Sequence, residues 1–238
     1  MENENTKYND SPDGVYVVVP AYNEEKTVSQ VIEEIAKRGY YVVLVNDGSS
    51  DNTLENTKKS QKKYPNQIII VSHIINRGLG AALNTGIADA LKHKAKYIVT
   101  FDADGQHEVN DIQKVCKPLQ EQKAEAVIGA RPFEDMPLSK NFANTMMNLL
   151  TRVFYRVKVR DSQSGLRAFT ANAASKINVV SQGYAVSSEF IKEIKDNNLK
   201  LEEVTITTIY TDETAQKGTN VFVGIKIMLK MIFDMFRL

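Results

Sequence analysis

The chain has 238 residues and sets 30 Lys and Arg against 29 Asp and Glu, a balance that excludes the basic surplus of a nucleic-acid partner. Cys116 is the only cysteine, so no intrachain disulfide can form and a reducing compartment is the simplest expectation. Residues 1–14 are polar and lack the apolar core of a signal peptide, and no run reaches the ~18–20 uncharged apolar residues of a spanning helix.

These features predict a disordered leader over 1–14 and one domain over 15–210. Apolar residues 15–19, stopped by Pro20, read as a first strand. Val28, Val31, Ile32 and Ile35 follow at helical spacing and predict a helix up to Arg38. A second strand at 42–45 ends in Asn46-Asp47-Gly48-Ser49-Ser50-Asp51, turn chemistry that leads into a polar helix to about Lys63. The third strand, 68–71, precedes the loop Asn76-Arg77-Gly78-Leu79-Gly80 and a helix to about Lys92. The β-branched run 97–100 is a fourth strand, followed by a helix from about Asn110 to Gln122 and a fifth strand at 126–130. Strands alternating with helices at this spacing predict an α/β fold, a mainly parallel sheet with helices on both faces. A helix over 138–157 comes next, and 183–210 holds one more helix between strand-like pieces. The polar stretch 211–220 reads as a mobile connection. Over 221–238 the charges of Lys226, Lys230, Asp234 and Arg237 share one stripe of an amphipathic helix. Its wide apolar face would lie in a membrane surface or pack on protein, and periodicity does not separate the two.

The chemistry concentrates after the fourth strand. Phe101-Asp102-Ala103-Asp104-Gly105-Gln106-His107 sets two carboxylates at a strand's C-terminal end, where ligands of open α/β sheets bind. Two Asp one residue apart, beside a turn glycine, can turn their oxygens to one hard cation, and Gln106 can add a third oxygen. That is the chemistry of Mg²⁺ or Mn²⁺ holding a diphosphate. Bland alternatives exist for each piece: an Asp-rich turn here, helix capping by Asn23, Asp47 and Asp51, a tight turn at Gly78. Jointly, polar residues after successive strands meet at one crevice, which a nucleotide with a metal-bound diphosphate explains better.

Five motifs in order carry a likeness to a known family. Val19-Pro20-Ala21-Tyr22-Asn23-Glu24, Val45 to Asp51, Asn76 to Gly80, and Asp102 to His107 resemble the motifs of family 2 glycosyltransferases with the GT-A fold. Asp161-Ser162-Gln163-Ser164-Gly165-Leu166-Arg167 is similar to the branch of dolichyl-phosphate mannose synthase and related polyprenyl-phosphate glycosyltransferases. The chain departs from the pattern at Asn46, where the family often has Asp, and at Leu166, where it often has an aromatic residue.

The resemblance implies a set of roles. Pro20, Ala21, Tyr22, Glu24, Asp47 and Gly78, with Asp102, Ala103 and Asp104, would bind the nucleotide sugar, Asp47 facing the base. Asp102, Asp104 and Gln106 would hold the metal, Mg²⁺ or Mn²⁺. Arg131, Lys140, Asn144 and Arg167 would meet the acceptor phosphate, and Asp104, Arg131, Asp161 and Arg167 would form the catalytic group. Glu189 stands where the family often has Glu, although a carboxylate at a helix start accounts for it equally. The region 211–220 would close over the donor. The implied partners are a nucleotide sugar, with UDP preferred over GDP, a dolichyl or undecaprenyl phosphate, and a membrane surface, the protein lying peripherally on its cytoplasmic face.

An inverting transfer needs charge stabilisation of the departing diphosphate, which a divalent cation and an Arg can supply. A polyprenyl phosphate is already an oxyanion, so positioning replaces deprotonation. For a hydroxyl acceptor, Asp161 is the candidate base. Two other readings remain: a family 2 enzyme acting on a glycan, cell-wall polymer or protein hydroxyl, and a nucleotide-sugar-binding scaffold without turnover. The chain has no Trp, which removes the Gln-x-x-Arg-Trp motif of processive polysaccharide synthases, and the intact Asp102, Asp104 and Gln106 stand against the scaffold.

Overall fold

A computed structural model describes residues 14–132, 138–181, 183, 185–207 and 209, without the side chains of 138–140, 142 and 143. The expected leader apart from Gly14, the connection over 211–220 and the helix over 221–238 lie outside the described residues.

Strict alternation builds the centre of the sheet. In β1 (Val15–Ala21), Val15, Val17, Val19 and Ala21 enter one hydrophobic core while Tyr16 and Val18 enter the other. In β2 (Tyr41–Asp47), Val42 and Leu44 face the first core and Val43 and Val45 the second. A strand apolar on both faces must be covered on both, at roughly 1.5–3 kcal/mol for each fully buried Val or Leu. On the first face lie α1 (Val28–Lys37), through Val28, Val31, Ile32 and Ile35, and α4 (Asp111–Gln120), through Ile112, Val115 and Leu119. On the second lie α3 (Leu79–Lys92) and α7 (Ala185–Asp196), through Leu83, Ile87, Phe190 and Ile194. Gly86 lets α3 approach closely, since a Cβ there would fall 2.3 Å from Val18 Cγ1. The polar α2 (Thr53–Lys63) packs on α1 with Thr53, Thr57 and Ser60 buried.

With β3 (Ile68–His73), β4 (Tyr97–Thr100), β5 (Ala126–Ala130), β6 (Arg167–Thr170) and β7 (Leu201–Thr205), the sheet has seven strands in the order β3-β2-β1-β4-β6-β5-β7. All neighbours pair in parallel except β6, which runs antiparallel to both β4 and β5. The sequence does not announce β6, and its direction matters. Pairing of Thr100 with Arg167 puts the start of β6 at the C-terminal end of β4. The loop over 161–166 is thereby delivered to the same edge as Asp102. Between β5 and that loop runs α5 (Leu138–Tyr155), packed on α7, and Asn148 fastens it: its Oδ1 accepts from Ser162 N at 2.8 Å and its Nδ2 donates to Arg160 O at 2.6 Å. A four-residue α6 (Ala171–Ala174), capped by Thr170 Oγ1, follows β6 directly.

Candidate active site

The loops after β1 and β2 are stitched together at the C-terminal edge. Asn23, at φ 58, donates its N–H to Ser49 Oγ and accepts from Ser50 N, while the N–H groups of Glu24 and Glu25 go to Thr53 Oγ1 and Asp51 Oδ2. Asn23 is therefore a left-handed loop residue, and the cap position of α1 falls to Thr27. Asp51 closes the first turn of α2 through Thr53 N and Oγ1. Tyr22 emerges beside this seam with 47 % of its surface exposed, and Pro20 and Ala21 lie beneath it in β1.

Asp47, at the end of β2, is 3 % exposed and its oxygens are taken. Oδ1 accepts from Arg77 N and from His73 Nδ1 at 2.6 Å, and Oδ2 accepts from Gly78 N. Because the Asp47 carboxylate only accepts, His73 Nδ1–H is the donor to it, which leaves Nε2 to accept from the Thr85 hydroxyl at 2.9 Å. The carboxylate thus shapes the loop that leads into α3, where Gly78 turns at φ 90.

After β4 the two aspartates of the sequence motif share one cavity of about 130 Å³ with Gln106, His107, Arg131, Gln163 and Gly165. Asp104 accepts from Gln106 N at 3.0 Å and from Gln106 Nε2 at 2.7 Å, so the amide donor is spent on the carboxylate and the carbonyl oxygen of Gln106 points elsewhere. Asp102 sits where Gly165 leaves room: a Cβ on residue 165 would lie 1.9 Å from Asp102 Oδ2. Burial alone would raise the Asp102 carboxyl, but the hydrogen bond from His107 and the guanidinium charges of Arg167 and Arg131 outweigh it and hold the group below the usual aspartate value.

Arg131 reaches the cavity from the end of β5 under the control of Asp161. Its Nε and a terminal nitrogen donate to Asp161 Oδ2 and Oδ1 at 2.7 and 3.0 Å, and its backbone N–H adds a third bond. Asp161 is 0 % exposed. Both oxygens of Asp161, the base expected for a hydroxyl acceptor, are committed to Arg131 in this arrangement. Arg167 is likewise not at the cavity wall. It is 2 % exposed, lies 4.7 Å from the Phe190 ring centroid and donates to Ser187 Oγ at 2.8 Å. Burial pulls it down to about 10, against the opposing pull of Asp102 and Asp161, which leaves a full cation behind the two carboxylates at neutral pH. Asn144 is 4 % exposed within α5, the side chain of Lys140 lies outside the described residues, and Glu189 accepts from Val180 N and Ser181 N. His107 and Gln163 line the cavity without having been singled out from the sequence. Both stand inside quoted motifs, and the signal available was their distance along the chain from Asp102 and Arg167.

The family model described as Glycosyl transferase family 2 matches residues 16–180. An uncharacterised protein of Methanocaldococcus jannaschii is 45 % identical over 98 % of this chain and 98 % of its own length. The UDP-N-acetylglucosamine–dolichyl-phosphate N-acetylglucosaminyltransferase of Methanococcus voltae is 36 % identical over 92 % of this chain and 94 % of its own. Among solved structures, glucosyl-3-phosphoglycerate synthase from Mycobacterium tuberculosis in complex with Mn²⁺, UDP-glucose and phosphoglyceric acid superposes with a TM-score of 0.67 at 16 % identity, over 92 % of this chain and 79 % of that one.

Proposed function

The chain belongs to glycosyl transferase family 2 and is a glycosyltransferase of the GT-A fold, and from that premise we propose that it moves a sugar, with inversion, from a uridine diphosphate donor to the phosphate of a polyprenyl phosphate. The observation that carries the reading is the convergence of Asp102, Asp104, Gln106 and an oriented Arg131 on one cavity at the sheet's C-terminal edge. Similarity over nearly the full length to a relative named for UDP-N-acetylglucosamine and dolichyl phosphate supports the donor and acceptor classes.

The residues fit a hard divalent cation. The carboxylates of Asp102 and Asp104 offer only oxygen, the preference of Mg²⁺ and Mn²⁺, and Gln106, whose amide N–H here goes to Asp104, would add its carbonyl oxygen once that amide turns over. Among the described residues no three His, Cys, Asp or Glu side chains converge on a point, so such an ion would draw its remaining ligands from the donor diphosphate and water, the usual habit of Mg²⁺. When bound, it supplies positive charge against the departing diphosphate.

The chain's own residues do the rest. Arg131, fixed by Asp161, presents a second cation to the cavity, and Arg167 adds its field from behind. The exposed ring of Tyr22 offers a flat apolar face to the base, and the loop held by Asp47 flanks it. An acceptor phosphate oxygen attacks the anomeric carbon, the bond from that carbon to the diphosphate oxygen breaks, and the nucleoside diphosphate leaves with the electron pair. No proton has to be removed. Of the carboxylates near the cavity, Asp161 is spent on Arg131 and the other two are the candidate metal ligands, so a phosphate acceptor suits the site better than a hydroxyl that needs a base. Residues 221–238 would hold the enzyme against the lipid surface that carries the acceptor.

Incubation with UDP- and GDP-sugars, a short polyprenyl phosphate and Mn²⁺, followed by mass spectrometry of the lipid, tests the proposal. The expected product is lipid monophosphate plus one sugar residue with release of nucleoside diphosphate. A lipid diphosphate sugar with release of nucleoside monophosphate, or sugar only on hydroxyl acceptors, would overturn it.

A further inference from the structure

His107 has no part in the reactions above, yet it is the side chain most closely engaged with Asp102. Its Nε2 lies 3.1 Å from Asp102 Oδ2, and the residue is 8 % exposed. Gly105, at φ 75, bends the chain so that His107, five positions after Asp102, returns to its carboxylate. The ring packs edge-on against the buried Phe101, with centroids 5.3 Å apart. The carboxylate also fills the space a side chain at Gly165 would need, and the Gly165 carbonyl is itself held by Thr100 Oγ1 at 2.7 Å. Oδ2 of Asp102 is therefore bonded by an imidazole and packed close to a glycine.

The hydrogen-bond network also selects the tautomer. His107 Nδ1 is buried and has no hydrogen-bond partner among the described residues. Were the proton on Nδ1, a buried N–H would go unmet while the Nε2 lone pair faced a carboxylate lone pair. With the proton on Nε2, that N–H donates to Asp102 Oδ2 and only an acceptor is left unmet, the smaller cost.

We infer that His107, as the Nε2–H tautomer, is a positioning residue that fixes the Asp102 carboxylate in the orientation that receives a divalent cation, committing Oδ2 to the protein and leaving Oδ1 for the ion. This rests on the metal reading of Asp102 and Asp104. Hydrogen-bonded partners of ligating side chains typically account for about 10–100-fold in metal affinity.

The test is a titration of the full chain with Mn²⁺, alone and with UDP, read by the electron paramagnetic resonance signal of free Mn²⁺, with melting temperature as the fold control. His107→Phe keeps the ring against Phe101 and removes the donor; His107→Asn keeps an amide too short to reach, and serves if the Phe variant does not fold. His107→Gln places an amide N–H at about the reach of Nε2. The expected result is Mn²⁺ affinity about 10-fold or more weaker in the Phe and Asn variants and near wild type in the Gln variant, at similar melting temperatures. Equal binding by wild type and the Phe or Asn variant, or equal loss in all three variants, would overturn the inference while leaving the metal reading intact. Wild-type protein that leaves Mn²⁺ free in both arms would overturn the metal reading and this inference with it.

Discussion

Two side chains at the cavity, Asp104 and Arg131, divide its work in ways single substitutions can separate. Asp104 is held by Gln106 and faces the cavity, so Asp104→Asn keeps the shape and removes a charge. Transfer should fall by at least ~100-fold, beyond the usual effect of a supporting residue, with the melting temperature little changed. Steady-state rates and a thermal melt of the same sample check this. Arg131→Ala should lower kcat by ~10²–10³-fold while UDP binding, measured by calorimetry, weakens much less, because its charge is aimed at the departing diphosphate. That substitution also strands Asp161, fully buried and without its guanidinium, so a stability loss of ~3–5 kcal/mol is expected beside the kinetic one. Arg131→Lys should recover part of the stability and little of the rate, since an ammonium cannot reproduce the two parallel bonds.

Asp51 offers a pH test away from the chemistry. Burial would raise its carboxyl, but hydrogen bonds from the Thr53 hydroxyl and N–H and from Glu25 N prevail and hold it below 3.8. A folded-state value below the unfolded one contributes stability above the unfolded value, and the contribution is lost as pH falls through the folded one. Asp51→Asn should therefore lower the melting temperature at neutral pH and flatten its decline between about pH 5 and pH 2. A variant whose decline parallels the wild type would show that the two stitched loops draw their acid sensitivity from elsewhere.

At the scale of elements, α3 on the sheet is a tight fit. Gly86→Ala would drive a Cβ against Val18 and Val45 and should cost ~1–3 kcal/mol in urea unfolding. That contact also explains part of what could be read in advance. The strands β1 and β2 and the helices α1, α3 and α4 announce themselves, as Val15 to Val19 shows in an unbroken apolar run and Val28 to Ile35 in its helical spacing. β6 does not. It has four residues, begins with Arg and runs against its neighbours, a direction set by pairing with β4 and β5 that nothing local encodes. Missing it has a consequence for the site. Arg167 and Phe169, two apart on one strand, share the face that meets α7, so a residue with the look of a phosphate ligand is instead a buried cation over Phe190. Asp161 is similar: the motif shows a carboxylate but not that both its oxygens meet Arg131.

For the whole molecule, the order β3-β2-β1-β4-β6-β5-β7 gathers residues from Tyr22 to Gly165 along one edge, and this much the spacing of the motifs foretold. Among the described residues no helix is long and apolar enough to cross a membrane. The proposed contact with lipid rests on the amphipathic pattern of 221–238, so a chain ending at residue 220 should remain in the supernatant when liposomes are sedimented, while the full chain pellets. Co-sedimentation of the shortened chain would move the lipid contact into the domain itself.

The claim beneath all of this is that Asp102 and Asp104 together receive a divalent cation and, through it, a nucleoside diphosphate. A crystal grown with Mn²⁺ and UDP, measured at the manganese edge, addresses it directly. The account predicts an anomalous peak within ligating distance of an oxygen from each aspartate and of the diphosphate, beside Arg131. A nucleotide bound with no such peak, or a peak away from both carboxylates, would contradict it.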